Sequence, residues 1–161
     1  MPHTFIDSKT EMEEILREET IGWLGLTSEG GPYVVPLNYA YVDGRILFHC
    51  AMEGLKLDCI RAHPEVCFSV GRQSGEVRRH AGGGVCHVDS DSVICFGRAR
   101  VLDDAAERAA ALNAFQRGFH PDAAPIPEKD VQRCGAVEIV IREMTGRRER
   151  ARQRTLWRHV F

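Results

Sequence analysis

The stretch YVVPLNYAYVDGRILFHCAMEGLK, residues 33–56, decides the fold. Two apolar runs rich in β-branched and aromatic residues flank Asp43-Gly44, a dipeptide that accepts the positive φ angles of a type I′ hairpin turn. The pattern predicts one strand over 32–42 and another over 45–50. Pro36 lacks the N–H that a ladder needs, so it marks an edge, a bulge or a functional kink. The chain then enters a helix, read over 53–63 from Leu55, Leu57, Cys59 and Ile60 and ended by His63-Pro64.

Counting outward from the turn puts Asn38 close to opposite His49 across the ladder. A helix beginning near Met52 or Glu53 offers backbone N–H groups at Ala51–Glu53 to an anion. Lys56, one turn in, brings an ammonium to the same point. His49, these amides and Lys56 would together hold a phosphate, provided Glu53 turns outward. The plainer alternative makes His49 a core histidine and Lys56 a solvated helix residue. A strand bent at Pro36 would expose backbone groups of Val35, Leu37 and Asn38 to a planar ligand, which needs an apolar floor and a few edge-on polar groups. The plainer alternative there is an ordinary edge-strand proline.

Outward from this core, Thr10 and Glu13 have capping-box spacing and predict a helix over 10–18, with Met12, Ile15 and Leu16 on one face. Residues 21–27 read as a strand closed by a turn at 28–31, so 20–50 read as an antiparallel meander. Further strands are read over 66–70, 92–102 and 135–142, and a helix over 103–118 capped by Asp103 or Asp104 and stopped by Gly118. Residues 72–90, with Gly82-Gly83-Gly84 at the centre, read as a long mobile loop, and 121–128 as a proline-rich connection. With no regular βαβ alternation, the expected fold class is mainly β with inserted helices, a small decorated barrel over a single domain, 1–161.

Composition narrows the function classes. The 161 residues carry a net charge of −2, with 43% hydrophobic and 27% charged residues, which excludes a globally basic nucleic-acid binder and a highly charged disordered chain. No apolar run approaches 18 residues, and the N-terminus lacks a signal-peptide pattern, so a cytoplasmic protein with no membrane partner is expected. The six cysteines, at 50, 59, 67, 86, 95 and 134, form no CxxC pair and read as reduced core thiols. His80, Cys86 and His87 match no standard zinc spacing, so no metal is expected; Cys86 beside Arg78, Arg79 and His80 would instead be a reactive thiol. The glycine triplet is no dinucleotide fingerprint, and no hydrolase motif occurs. Arg147, Arg148, Arg150, Arg152, Arg154 and Arg158 form a basic tail. It reads as solvated or subunit-packing, with nucleic-acid binding the competing reading.

Tyr33-Val34-Val35-Pro36-Leu37-Asn38-Tyr39, then Leu47-Phe48-His49-Cys50-Ala51-x-x-Gly54-x-Lys56, then His63-Pro64-x-Val66-Cys67-Phe68 resembles the pyridoxamine 5′-phosphate oxidase-like, FMN-binding split barrels, and within them the nitroimidazole-resistance proteins. Asp91 to Ala99 resembles the long strand of that subfamily. The resemblance covers roughly Ile15 to Gly146. It implies a six-stranded antiparallel split β-barrel that pairs as a homodimer, with FMN in two clefts at the interface. It further implies that Pro36, Leu37 and Asn38 lie along the flavin ring. His49, Cys50 and Lys56 would surround the ribityl phosphate or ring edge, and Ser92 and Val93 would reach the cofactor, from the partner subunit if not from their own. His49 matches the histidine to which a catalytic role is given. Cys50 departs from the Ser or Gly of many relatives, and 72–90 departs in glycine and arginine content. The dedicated substrate residues of a pyridoxamine oxidase are not found.

The leading expectation is an FMN-dependent oxidoreductase that reduces a small organic acceptor, a nitroaromatic for example, with NAD(P)H a possible donor. The alternative is a non-enzymatic split barrel that binds flavin or haem for storage or sensing, since seven histidines leave haem ligation open.

Overall fold

Asp43 (φ 48°) and Gly44 (φ 78°) both take the positive φ angles that the turn requires, and the expected hairpin forms around them with Ala40 opposite Leu47. The computed structural model describes residues 4–5, 8–78, 87–150 and 153–161, with side chains over 8–73, 88–150 and 158–161. In chain order the elements are β1 (Thr4–Phe5), α1 (Lys9–Glu18), β2 (Ile21–Ser28), β3 (Gly31–Asn38), β4 (Ala40–Val42), β5 (Arg45–Cys50), α2 (Leu55–Ala62), β6 (Glu65–Arg78), β7 (His87–Val101), α3 (Ala105–Phe119), α4 (Glu128–Val131), β8 (Gly135–Arg150) and β9 (Gln153–Val160).

The strands make one sheet in the order β1-β9-β8-β7-β6-β2-β3. It is antiparallel except for β1 on β9. The lower half of β8 also pairs with β5, which carries β4. The segment read as one strand over 32–42 is therefore two. β3 lies at one edge of the sheet and β4 at another, and the chain crosses between them at Tyr39. This crossover curls the sheet into a barrel, and it replaces the expected meander. Among the described residues the strands number nine rather than six, because β1 and β9 extend the sheet and the crossover divides one expected strand.

Packing explains the crossover. The buried Tyr39 ring meets Phe68 edge-on, with centroids 4.9 Å apart, and its hydroxyl donates to Leu16 O at 2.9 Å. Tyr41 donates to Glu13 at 2.6 Å. These two phenols fasten α1 over the end of the barrel, where Met12, Ile15 and Leu16 are buried. A separate small core of Leu102, Leu112, Val131 and Ala136 lies under α3. There the buried Arg108 donates to the carbonyls of Leu102, Asp103 and Val131.

Several boundaries differ from expectation. Ser8, not Thr10, caps α1, accepting from Glu11 N–H at 3.4 Å; it offers the same three-residue reach two positions earlier. Asp104 caps α3 as expected. Gly118 does not stop that helix. It lies inside it, where a Cβ would come within 2.8 Å of Ala40. The proline-rich connection leads into a short helix not expected from the sequence, α4, which begins at its last residue, Glu128. Residues 72–78 and 87–90 are not loop but the paired ends of β6 and β7, with a register shift between Gln73 and Val77; polar residues on both faces hid the alternation. Gly82-Gly83-Gly84, Arg79, His80 and Cys86 lie outside the described residues, as do the side chains of Arg78 and His87. The basic tail is likewise not a solvated extension, since β8 runs to Arg150 and returns as β9. Arg148 and Arg150 turn back onto Asp91, which is 1% exposed and also faces Arg72. Among the described residues no helix is long and apolar enough to cross a membrane, and the five described cysteines are free thiols.

Candidate functional site

The crossover at Tyr39 places Asn38, at the end of β3, and His49, near the end of β5, on one cleft of about 570 Å³. Extrapolating the β4–β5 register puts these residues opposite each other, as expected. The ladder stops at Ala40, however, and Asn38 pairs with Ile21. The cleft brings together what the hairpin does not. His49 is exposed, so it is not a core histidine. Its ring stands edge-on to Phe115 at 5.0 Å, and Phe115 packs on Phe119 at 5.0 Å.

The opposite wall is α3, which contributes Leu112, Phe115, Gln116 and Phe119. His120, Ile126, Asp130 and Cys134 complete it. Sequence reasoning treated α3 only as a capped helix and missed this wall. The available signal is a pair of aromatics at i and i+4, Phe115 and Phe119, ending a helix otherwise rich in alanine.

Successive β5 side chains alternate in direction. His49 faces the cleft, whereas Cys50 and Lys56 do not line it. Gly54 caps α2 with φ 131°, and among the described residues beyond its two chain neighbours no atom lies within 4 Å of where a Cβ would stand. The N–H groups of Leu57 and Asp58 both turn back to Gly54 O. Those of Leu55 and Lys56 have no acceptor among the described residues. The helix starts at Leu55 rather than near Met52 or Glu53, so its own first-turn donors are those of Leu55 and Lys56; the N–H groups of Ala51, Met52 and Glu53 likewise have no acceptor among the described residues. Ala51, Met52 and Glu53 form an exposed link. Lys56 Nζ lies 5.2 Å from the centroid of the buried Phe48 ring, and no described carboxylate pairs with it. An unpaired ammonium, two free amides and an open first turn suit an anion. Burial pushes the half-buried Cys50 thiol up, against the opposing pull of Lys56. Burial thus favours the protonated thiol of Cys50 over the thiolate. Cys134 Sγ donates to its carbonyl at 3.8 Å.

Along β3, Val34, Pro36 and Asn38 are exposed, whereas Val35 and Leu37 turn inward. Val35 and Leu37 can meet a ligand only through their backbone. Pro36 sits on an edge strand opposite Trp23, one of the three roles expected of it. Val93 is a core residue at 0% exposure, and Ser92 is half-buried on the outer face of β7. Neither lines the cleft of its own chain. That outer face is apolar: Trp23 (43% exposed) and Phe96 (44%) stand beside Ile21, Val34 and Ile94. Trp23 and Ile94 both pair with Ser69, and Gly25, flanked by Val34 and Cys67, leads across to Phe96.

A family model for pyridoxamine 5′-phosphate oxidase matches residues 8–148. Among solved structures, a candidate 5-nitroimidazole antibiotic resistance protein from Bacteroides thetaiotaomicron is 25% identical at a TM-score of 0.76, covering 88% of this chain and 84% of its own. A FAD-binding protein from Mesorhizobium loti is 27% identical at 0.66, covering 89% and 96%. A flavocytochrome from Azotobacter vinelandii is 21% identical at 0.77, covering 91% and 69%. No curated protein matches the sequence.

Proposed function

The chain belongs to the pyridoxamine 5′-phosphate oxidase family, and from that premise we propose that it is a homodimeric FMN-binding oxidoreductase that reduces a small organic acceptor. The observation that carries this reading is the unpaired Lys56 at the open start of α2, seven residues along the chain from His49 and its cleft. The residues fit a flavin phosphate: Lys56 Nζ and the N–H groups of Leu55 and Lys56 would hold its charge, and Gly54 keeps the approach clear. Cys50 and Ala51 would border the phosphate. Pro36 and the backbone of Val35, Leu37 and Asn38 would run along the ring. When bound, the flavin supplies electron transfer through its N5.

The chain's own part is positioning. His49 stands on the rim with its imidazole held edge-on by Phe115, where a ring N–H would deliver the proton that accompanies the electrons. The aromatic wall of α3 would admit a flat acceptor and keep water from its face. Ser92 would reach the flavin from the partner subunit, since in its own chain it stands on the outer face; Val93 would do so only through its backbone.

The Lys56→Ala variant should bind FMN roughly 10–100-fold more weakly, the loss of one charge-assisted contact of about 1.5–3 kcal/mol. Flavin fluorescence titration measures this. Unchanged affinity would remove Lys56 from the site. FMN at 100 times its dissociation constant should also stabilise the wild-type protein by about 2.7 kcal/mol, and a protein that gains no stability and stays colourless overturns the flavin reading. NAD(P)H-driven reduction of a nitroaromatic by the loaded protein separates a reductase from a flavin store.

The apolar outer face of β2, β3 and β7 supports the dimer, because a patch of this kind needs cover. Phe96→Arg should convert a two-chain species to a single-chain one by light scattering, and FMN affinity should fall with it. A variant that stays dimeric assigns the contact to another face.

A further inference from the structure

The proline-rich connection between α3 and α4 has a stiff centre, Pro125-Ile126-Pro127. Each proline ring fixes its own φ, and Pro127 stands at φ −57°. Ala124 and Ile126 each precede a proline and are kept out of the helical region. Neither proline has an N–H, so Ile126 carries the one backbone donor of the tripeptide. Asn113 Oδ1, on α3, accepts from it at 2.8 Å. Asn113 Nδ2 donates to Ala109 O at 2.8 Å, which fixes the orientation of the amide. One turn further along the same helix, Gln116 Nε2 donates to Ala124 O at 2.9 Å. Two α3 side chains thus clamp the connection on either side of Pro125. The half-buried Ile126 side chain packs on the small core that holds Leu112 and Val131, and it lines the aromatic cleft together with Phe115 and His49.

We propose that Ile126 is the specificity-determining residue of this cleft, setting how large a flat molecule it admits, and that Asn113 is the positioning residue that holds Ile126 in place. The proposal rests on the proposed function only in taking the cleft as the docking place of the molecule that exchanges electrons with the flavin. A wall that could move would set no limit. This one is pinned by a side-chain amide, its backbone is restricted by two prolines, and branching at Cβ restricts its χ1. Ile126 therefore cannot fold away from a longer ligand as an unbranched methionine would. The volume of its side chain decides what fits.

The test titrates benzimidazole and 2-phenylbenzimidazole calorimetrically into the full-length protein, with and without FMN. The readout is the affinity for the larger probe divided by that for the smaller. Ile126→Ala should raise this ratio about tenfold or more, and Ile126→Phe should lower it by a similar factor, the range over which added or missing carbons in an apolar pocket discriminate. Asn113→Ala leaves Ile126 in the chain but unties it, and should raise the ratio about threefold or more. Asn113→Asp keeps an acceptor for the Ile126 N–H and should hold the wild-type ratio, a rescue that general loosening of α3 would not give. Thermal unfolding shows which variants are folded; if Ile126→Ala is not, Ile126→Phe and the two Asn113 variants decide. A ratio unmoved by the Ile126 variants, one moved in the same direction by both, or saturable binding of neither probe would overturn the proposal for Ile126. Asn113→Ala and Asn113→Asp behaving alike would overturn it for Asn113. If FMN binds and the ratio does not respond, this inference alone fails. If the ratio responds and FMN does not bind, the flavin reading alone fails.

Discussion

Asp91→Asn should lower the unfolding free energy by about 3–5 kcal/mol at neutral pH, the usual cost of removing one partner from a buried charge cluster. Asp91 lies on β7 at 1% exposure. Arg148 Nε approaches it at 3.0 Å, Arg150 Nη2 at 2.8 Å and Arg72 Nε at 3.3 Å. The neutral amide keeps the shape but leaves three guanidinium groups facing one another. Arg148 also pairs with Glu11, and Arg72 with Glu18, so α1 loses its electrostatic hold on the barrel at the same time. Burial alone would raise the Asp91 carboxyl, but hydrogen bonds from Arg150 and Arg148 outweigh it and hold the group below its ordinary value. Folding thus depresses this carboxyl. Its contribution is complete above the unfolded value of about 3.9 and is lost as pH falls through the lower folded value. Urea titrations across pH should show the wild-type protein losing stability in that acid window, and the asparagine variant starting lower with a shallower acid slope. A loss under about 1 kcal/mol at pH 7 would mean that Glu11 and Glu18 suffice to neutralise the cluster.

Phe68→Ala should cost a similar amount, about 3–5 kcal/mol, from lost burial and a residual cavity. The Phe68 ring is fully buried, touches Tyr39 at the crossover and fills the space above Gly22. A Cβ at Gly22 would stand 2.2 Å from Phe68 Cζ, so Gly22→Ala alone should cost about 1–3 kcal/mol through overpacking. The two changes should not add. With the ring gone, the new methyl enters the vacated space, and Gly22→Ala becomes neutral or stabilising in the Phe68→Ala background. A double-mutant cycle by chemical denaturation measures the coupling. Additivity within about 0.5 kcal/mol would show that the ring simply swings aside. The pair matters for the site because the ring it seats holds Tyr39, and Tyr39 sets where Asn38 meets His49.

Much of this was legible in short spacings. Asp43-Gly44 specified its turn because two positive φ angles suit few dipeptides. The proximity of Asn38 and His49 followed from counting away from that turn, although the crossover rather than a ladder realises it. Gly54 was quoted in the motif, yet its effect on the helix start was not foreseen. The helix start was read two residues too early, at Glu53 rather than Leu55, because a positive-φ cap residue looks like any other glycine in a string. The extension of β6, β7 and β8 escaped notice because their outer ends carry arginines and acids where alternation of apolar residues was sought.

By itself, then, the sequence determined the local units: the hairpin, and the helix that follows it. These depend on residues a few positions apart, whose geometry backbone sterics dictate. Only the tertiary structure decided that β3 and β4 join different edges, that α3 walls the cleft, that Val93 is core while Trp23 and Phe96 share a bare face, and that Asp91 gathers three arginines. Those outcomes rest on contacts such as His49 with Phe115 and Asp91 with Arg150, which lie far apart along the chain, where no periodicity relates one residue to the other and only the folded barrel brings them within reach.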